Sequence, residues 1–132
     1  METQKITIRQ ALKGGAIAGL IAAGLNNIWT LIAGALGATI PAGFFFAVTT
    51  SSIFPLLIGS IIFFLMIKFL PKGNLFWLVL TIGFTLISFY PVFNPPALPD
   101  GTMPDSTFPL LAGPLHAISG VLAAWVIPKW AN

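Results

Sequence analysis

At 132 residues the chain has room for one domain, and 57% of it is hydrophobic while 7% is charged. A soluble domain carries about 25% charged residues, so this composition cannot build a water-facing surface, and the class is integral membrane protein. The net charge of +3 comes from scattered bases too sparse for a nucleic-acid patch, and the lack of cysteine excludes disulfides, thiolate zinc sites and thiol redox chemistry.

The N-terminal stretch METQKITIRQALK sets Ile6, Ile8 and Leu12 among polar residues. It starts the first span early, lies along the membrane surface as a short amphipathic segment, or extends the helix into water. The apolar run that follows exceeds the h-region of a cleavable signal, about 7–15 residues, and reads as a retained helix.

Four spans follow, near residues 14–36, 46–69, 75–90 and 108–127. Each is close to the ~20 residues needed to cross ~30 Å of hydrocarbon, the third being short. Breakers mark the joints: Pro41 and Gly43, Pro71 and Gly73, then Pro91, Pro95, Pro96 and Pro99. The expected fold is all-α, a single bundle of four transmembrane helices. All six basic residues (Lys5, Arg9, Lys13, Lys68, Lys72 and Lys129) fall on one side of it, so the positive-inside rule places both termini in the cytoplasm. Trp77, Trp125 and Trp130 are expected at the inner interface, and Tyr90, Phe93 and Phe108 at the outer one.

Span one carries Gly15, Gly19, Ala22, Ala23, Asn26, Thr30 and Ala33 at helical spacing, and span four carries Ala112, Gly113, His116, Ser119, Gly120 and Ala123. Small faces let helix backbones approach closely, which makes Gly15, Gly19, Gly113 and Gly120 candidate packing positions. At 1.5 Å per residue Asn26 lies about 18 Å from Gly14, and His116 about 16 Å from Ile127. The two depths agree, so a polar layer is expected from Asn26, Asn27, Thr85 and His116, with Ser52 as a further candidate. It serves either as interhelical glue or as a binding or conduction site. Asn27 points about 100° from Asn26, so one face cannot satisfy both amides.

Pro55 and Pro114 free the carbonyls of Ser51 and Leu110 one turn earlier. Thr49, Thr50, Ser51 and Ser52 are hydroxyls near the first, although an ordinary kink is the simpler expectation. The outer loop, residues 91–107, holds Asp100 and Asp105, whose spacing matches no calcium loop. With one histidine, no cysteine and no acid within a span, the chain shows no catalytic, cofactor or metal constellation. A Ser119–His116 pair lacks an orienting acid.

The first span, in "ALKGGAIAGLIAAGLNNIWTLIAGALG", and the last, in "LHAISGVLAAWVIP", resemble a family of small bacterial four-span membrane proteins classed as a domain of unknown function. The resemblance implies a bacterial inner membrane and supplies no functional residue. The leading expectation is a non-enzymatic protein acting by assembly, as a homo-oligomer or an accessory subunit. Its partners would be the lipid bilayer and itself or another membrane protein, with no nucleic acid. The alternative is a small channel or facilitator for neutral or weakly polar solutes, lined by Asn26, Asn27 and His116.

Overall fold

The computed structural model describes residues 6–132, so Glu2 and Lys5 lie outside the described residues. Five helices follow one another: α1 (Ile8–Ala35), α2 (Phe44–Phe69), α3 (Gly73–Ser88), α4 (Tyr90–Phe93) and α5 (Phe108–Ala131). Four segments are long and apolar enough to cross a membrane, α3 and α4 together making the third. The protein is an all-helical integral membrane bundle.

Local chemistry sets the helix ends. Thr7 caps α1 in a reciprocal box: its hydroxyl accepts from the Gln10 N–H, and the Gln10 side chain accepts from the Thr7 N–H at 2.8 Å. The described part of the N-terminal stretch therefore extends span one as helix. At the far end of α1, Ala38 N–H donates to Ala33 O and Gly37 N–H to Gly34 O, with Gly37 at φ 99°. This is the left-handed C-terminal cap that glycine adopts without strain. Between α2 and α3 the turn is tight enough that a Cβ on Gly73 would lie 2.5 Å from Met66 O and 2.7 Å from Ile67 Cα. Pro91 has no N–H for the Ile87 carbonyl, and the third span breaks there into α3 and α4.

Helix α1 packs along both α2 and α5, while α3 packs on α5 and α2. No Cα atoms of α1 and α3 lie within 8 Å of each other among the described residues. The cross-section is thus a rhombus, with α2 and α5 meeting across its short diagonal and α1 and α3 at opposite corners. The four crossings put the N-terminus of α1, the α2–α3 turn and the C-terminus of α5 at one end, here the terminal end. The α1–α2 turn and the long α4–α5 connection form the other, the loop end.

One core cluster joins Ala18, Ala22, Leu56, Phe63, Trp77, Leu122, Val126 and Ile127. Trp77 belongs to this interior and not to an interfacial belt: it is 3% exposed, stacks edge-on against Phe63 and donates its indole N–H to Ala123 O at 3.0 Å. A buried indole N–H finds an acceptor in this way. Trp125 and Trp130 are exposed near the terminal end of α5.

Candidate functional site

The polar layer is built at the meeting of α1, α2 and α5. Asn26 is 2% exposed, and its Nδ2 donates to Ser52 Oγ on α2 at 2.9 Å and to Ser119 Oγ on α5 at 3.0 Å. One amide therefore ties three helices. One turn on, the Thr30 hydroxyl donates to the Asn26 carbonyl at 2.9 Å. Asn27, half-buried, turns toward α2: its Nδ2 donates to Thr49 Oγ1 at 2.9 Å and to Ala23 O at 2.8 Å.

The residues expected to form the layer are only partly brought together. Asn26, Asn27 and Ser52 are in it. The Thr85 hydroxyl donates back to Thr81 O at 2.7 Å, and its side chain sits against Gly120. The His116 ring packs against Phe89, with centroids 6.1 Å apart, and makes no hydrogen bond among the described residues. Asn26 is held by the last span, but through Ser119, one turn from His116. The reason is a slip of level. Setting Gly14 opposite Ile127 ignores that α5 runs on to Ala131. A Cβ on Gly14 would lie 2.6 Å from Ile127 O and 3.3 Å from Ala131 N, so Gly14 sits between these two levels. Twelve residues along from Gly14 is Asn26, and twelve back from Ile127 and Ala131 are Leu115 and Ser119, so the facing turn runs between these two, and Ser119 is its residue that meets Asn26. Thr49 was legible as a nearby hydroxyl, but as a partner for a freed carbonyl.

Two amide oxygens, Asn26 Oδ1 and Asn27 Oδ1, are buried and accept no hydrogen bond among the described residues. An unpaired buried acceptor costs about 1–3 kcal/mol. Turning the Asn26 amide by half a rotation lets its oxygen accept from the Ser52 and Ser119 hydroxyls, but then the NH2 is left over. Two hydroxyls cannot saturate a side-chain amide that has four hydrogen-bonding positions.

The small-residue faces also find other neighbours than expected. Gly15 and Gly19 face α2: a Cβ on Gly15 would meet Ser60 and Leu56, and one on Gly19 would lie 3.0 Å from Ile53 Cα. It is Gly14 that faces α5. Gly120 approaches Thr85 of α3. Gly113 is no close-approach position, since a Cβ there would reach Phe89 and Val92 at an ordinary 3.9 Å. A glycine face fits any neighbour that comes close, so it does not by itself choose its partner.

The prolines differ in how their freed carbonyls fare. Trp29 on α1 donates its indole N–H to Leu110 O at 3.1 Å, the carbonyl that Pro114 leaves without a helical donor. Near Pro55, Thr49, Thr50 and Ser51 donate instead to the carbonyls of Phe45, Phe46, Ala47 and Val48. None of the three reaches Ser51 O.

At the loop end Asp105 is a fastener. Its Oδ1 accepts from the Thr107 N–H and hydroxyl, and its Oδ2 accepts from the Thr39 hydroxyl. Thr39 N–H donates to Thr107 Oγ1 at 3.0 Å. The α1–α2 turn is thus tied to the start of α5. These donors, the Thr107 hydroxyl foremost, hold the Asp105 carboxyl below its ordinary 3.8. Thr102 does the same for Asp100.

Compared with protein-family models, curated proteins and solved structures, the chain matches none.

Proposed function

We propose that this is a non-enzymatic membrane protein that works by self-assembly, the α1 corner of one copy docking on the α3 corner of the next. The observation that carries this reading is a pair of glycines. Gly24 on α1 and Gly83 on α3 each have open space where a Cβ would be, with nothing within 4 Å. Each precedes an inward-facing residue, Asn26 or Thr85, by two positions. At about 100° per residue, both glycines point away from the bundle. Asn26 bonds Ser119, and Thr85 sits against Gly120, so the two glycines lie at one depth. Alternate spans run parallel, so α1 and α3 of neighbouring copies in one membrane meet in parallel with glycines level. Close packing of small residues is what drives helix association in lipid. The contact is head-to-tail and forms a ring if its rotation closes.

Burial of Asn26, Ser52 and Thr30, each at most 2% exposed, weighs for a packing layer over a water-filled path for solutes. Engagement of Ser119 by Asn26 weighs against a Ser119–His116 nucleophile pair. Residence in a bacterial inner membrane with cytoplasmic termini is part of the proposal. It is supported by the one-sided bases, of which Arg9, Lys13, Lys68, Lys72 and Lys129 are described at the terminal end.

The chain has no native cysteine, which makes the test clean. Gly24→Cys and Gly83→Cys together should cross-link copies into dimers and higher species in membranes. Gly24→Cys with Val121→Cys, on the exposed face of α5, should not. Absence of the first cross-link, with a monomer in native mass spectra from lipid, overturns the proposal.

A further inference from the structure

The terminal end of the bundle has a chemistry of its own. Arg9, Lys13, Lys68, Lys72 and Lys129 are there, and among the described residues no Asp or Glu shares that end; Asp100 and Asp105 are at the other. The lysines are not splayed at random. Lys129 Nζ lies 5.1 Å from the centre of the Trp125 ring, Lys13 Nζ 5.8 Å from that of Trp130, and Lys68 Nζ 5.2 Å from that of Phe69. Trp125 is 64% and Trp130 45% exposed, and neither indole N–H takes part in a hydrogen bond among the described residues.

A ring face attracts an ammonium but takes none of its hydrogens. Each lysine is therefore held in place with its donors unspent, beside an aromatic edge at the level where headgroups meet acyl chains. A phosphodiester supplies the acceptors that this arrangement lacks.

We infer that the terminal rim seats the headgroups of anionic phospholipids, with Lys13, Lys68 and Lys129 as the phosphate donors and Trp125 and Trp130 packing beside them. The selection is by charge. A zwitterionic lipid brings its own ammonium to an edge that has five described cations and no described carboxylate side chain to receive it. An anionic lipid brings only what the rim can bind.

The test is native mass spectrometry of the protein released from nanodiscs of equimolar phosphatidylglycerol and phosphatidylcholine with identical acyl chains. The wild type should retain phosphatidylglycerol in preference. Lys13→Gln and Lys129→Gln should each lower that preference about fivefold at low salt. Both side chains are on the surface, so the unfolding temperature in pure phosphatidylcholine should not move. Lys68→Gln, on another helix, should show the same fall. Equal retention of the two lipids by the wild type, or an unchanged preference in all three variants, overturns the inference. So does soluble glycerol phosphate that raises the unfolding temperature in phosphatidylcholine as much as phosphatidylglycerol does, since the rim would then serve a free phosphate ester.

Discussion

Trp29 reaches across from α1 to give its indole N–H to Leu110 at 3.1 Å, and so repairs in one helix a defect that a proline makes in another. Trp29→Phe keeps the ring and removes the donor. It should cost on the order of 1 kcal/mol in reversible unfolding from mixed micelles. In a Pro114→Ala background the carbonyl regains a helical N–H, and the same change should cost less. Equal costs in the two backgrounds would show that the bond carries no weight.

Asn26 should behave as the centre of a three-residue unit. Asn26→Ala, Ser52→Ala and Ser119→Ala should each destabilise, by about 1–2 kcal/mol for Asn26. Pairing Asn26→Ala with either serine variant should lose less than the sum. His116→Ala should add independently to Asn26→Ala. Coupling to His116 in place of Ser119 would mean that the level of α5 against α1 is wrong by a turn.

Gly120→Leu should cost at least about 1–3 kcal/mol, because Thr85 occupies the space that a Cβ would take. Gly19→Leu forces α1 off the Ile53 backbone and should cost as much. Leu20→Ala, at a position 65% exposed, should leave the unfolding temperature within error. A tolerant Gly19 would place that face in lipid.

Asp105 gives the loop end a dependence on acid. Its carboxyl is held below 3.8 by Thr107, then Thr39. A depressed carboxylate contributes stability that is present above its ordinary value and is lost as pH falls through the lowered one. Proteolysis of the loop around Gly101 should therefore rise as the pH falls below about 4, using an acid-active protease. In Asp105→Asn, cleavage should already be raised at neutral pH, with a smaller further increase on acidification. A wild-type loop equally resistant across that range would remove the fastener from the account.

The number of spans and their approximate limits were legible because hydrocarbon thickness dictates run length and proline punctuates it. The six residues of α1 ahead of Gly14 were left open between alternatives, and the capping box at Thr7 and Gln10 accounts for their being helix. Side-chain partners were harder. Ending the last span at Ile127, four residues short of Ala131, put the level facing Asn26 at His116, where the structure has Ser119. The direction of Gly15 and Gly19 was closed to inspection for a different reason: α2 offers Ser60 and the Ile53 backbone where α5 offers Ile127, and both accept a glycine. Trp77 shows the same limit, since an indole near a span end suits an interface as well as a core.

The rhombus puts α1 between the second helix to be made and the last. Ser52 follows Asn26 by 26 residues and Ser119 by 93. While the chain is being inserted, α1 and α2 can pair early and give the amide its first serine. The second arrives only when α5 has entered the bilayer. A chain stopped short of Phe108 carries an asparagine half-paired on the side α5 would cover, facing lipid in mid-membrane. The same residue that fastens the finished bundle thus marks an unfinished one.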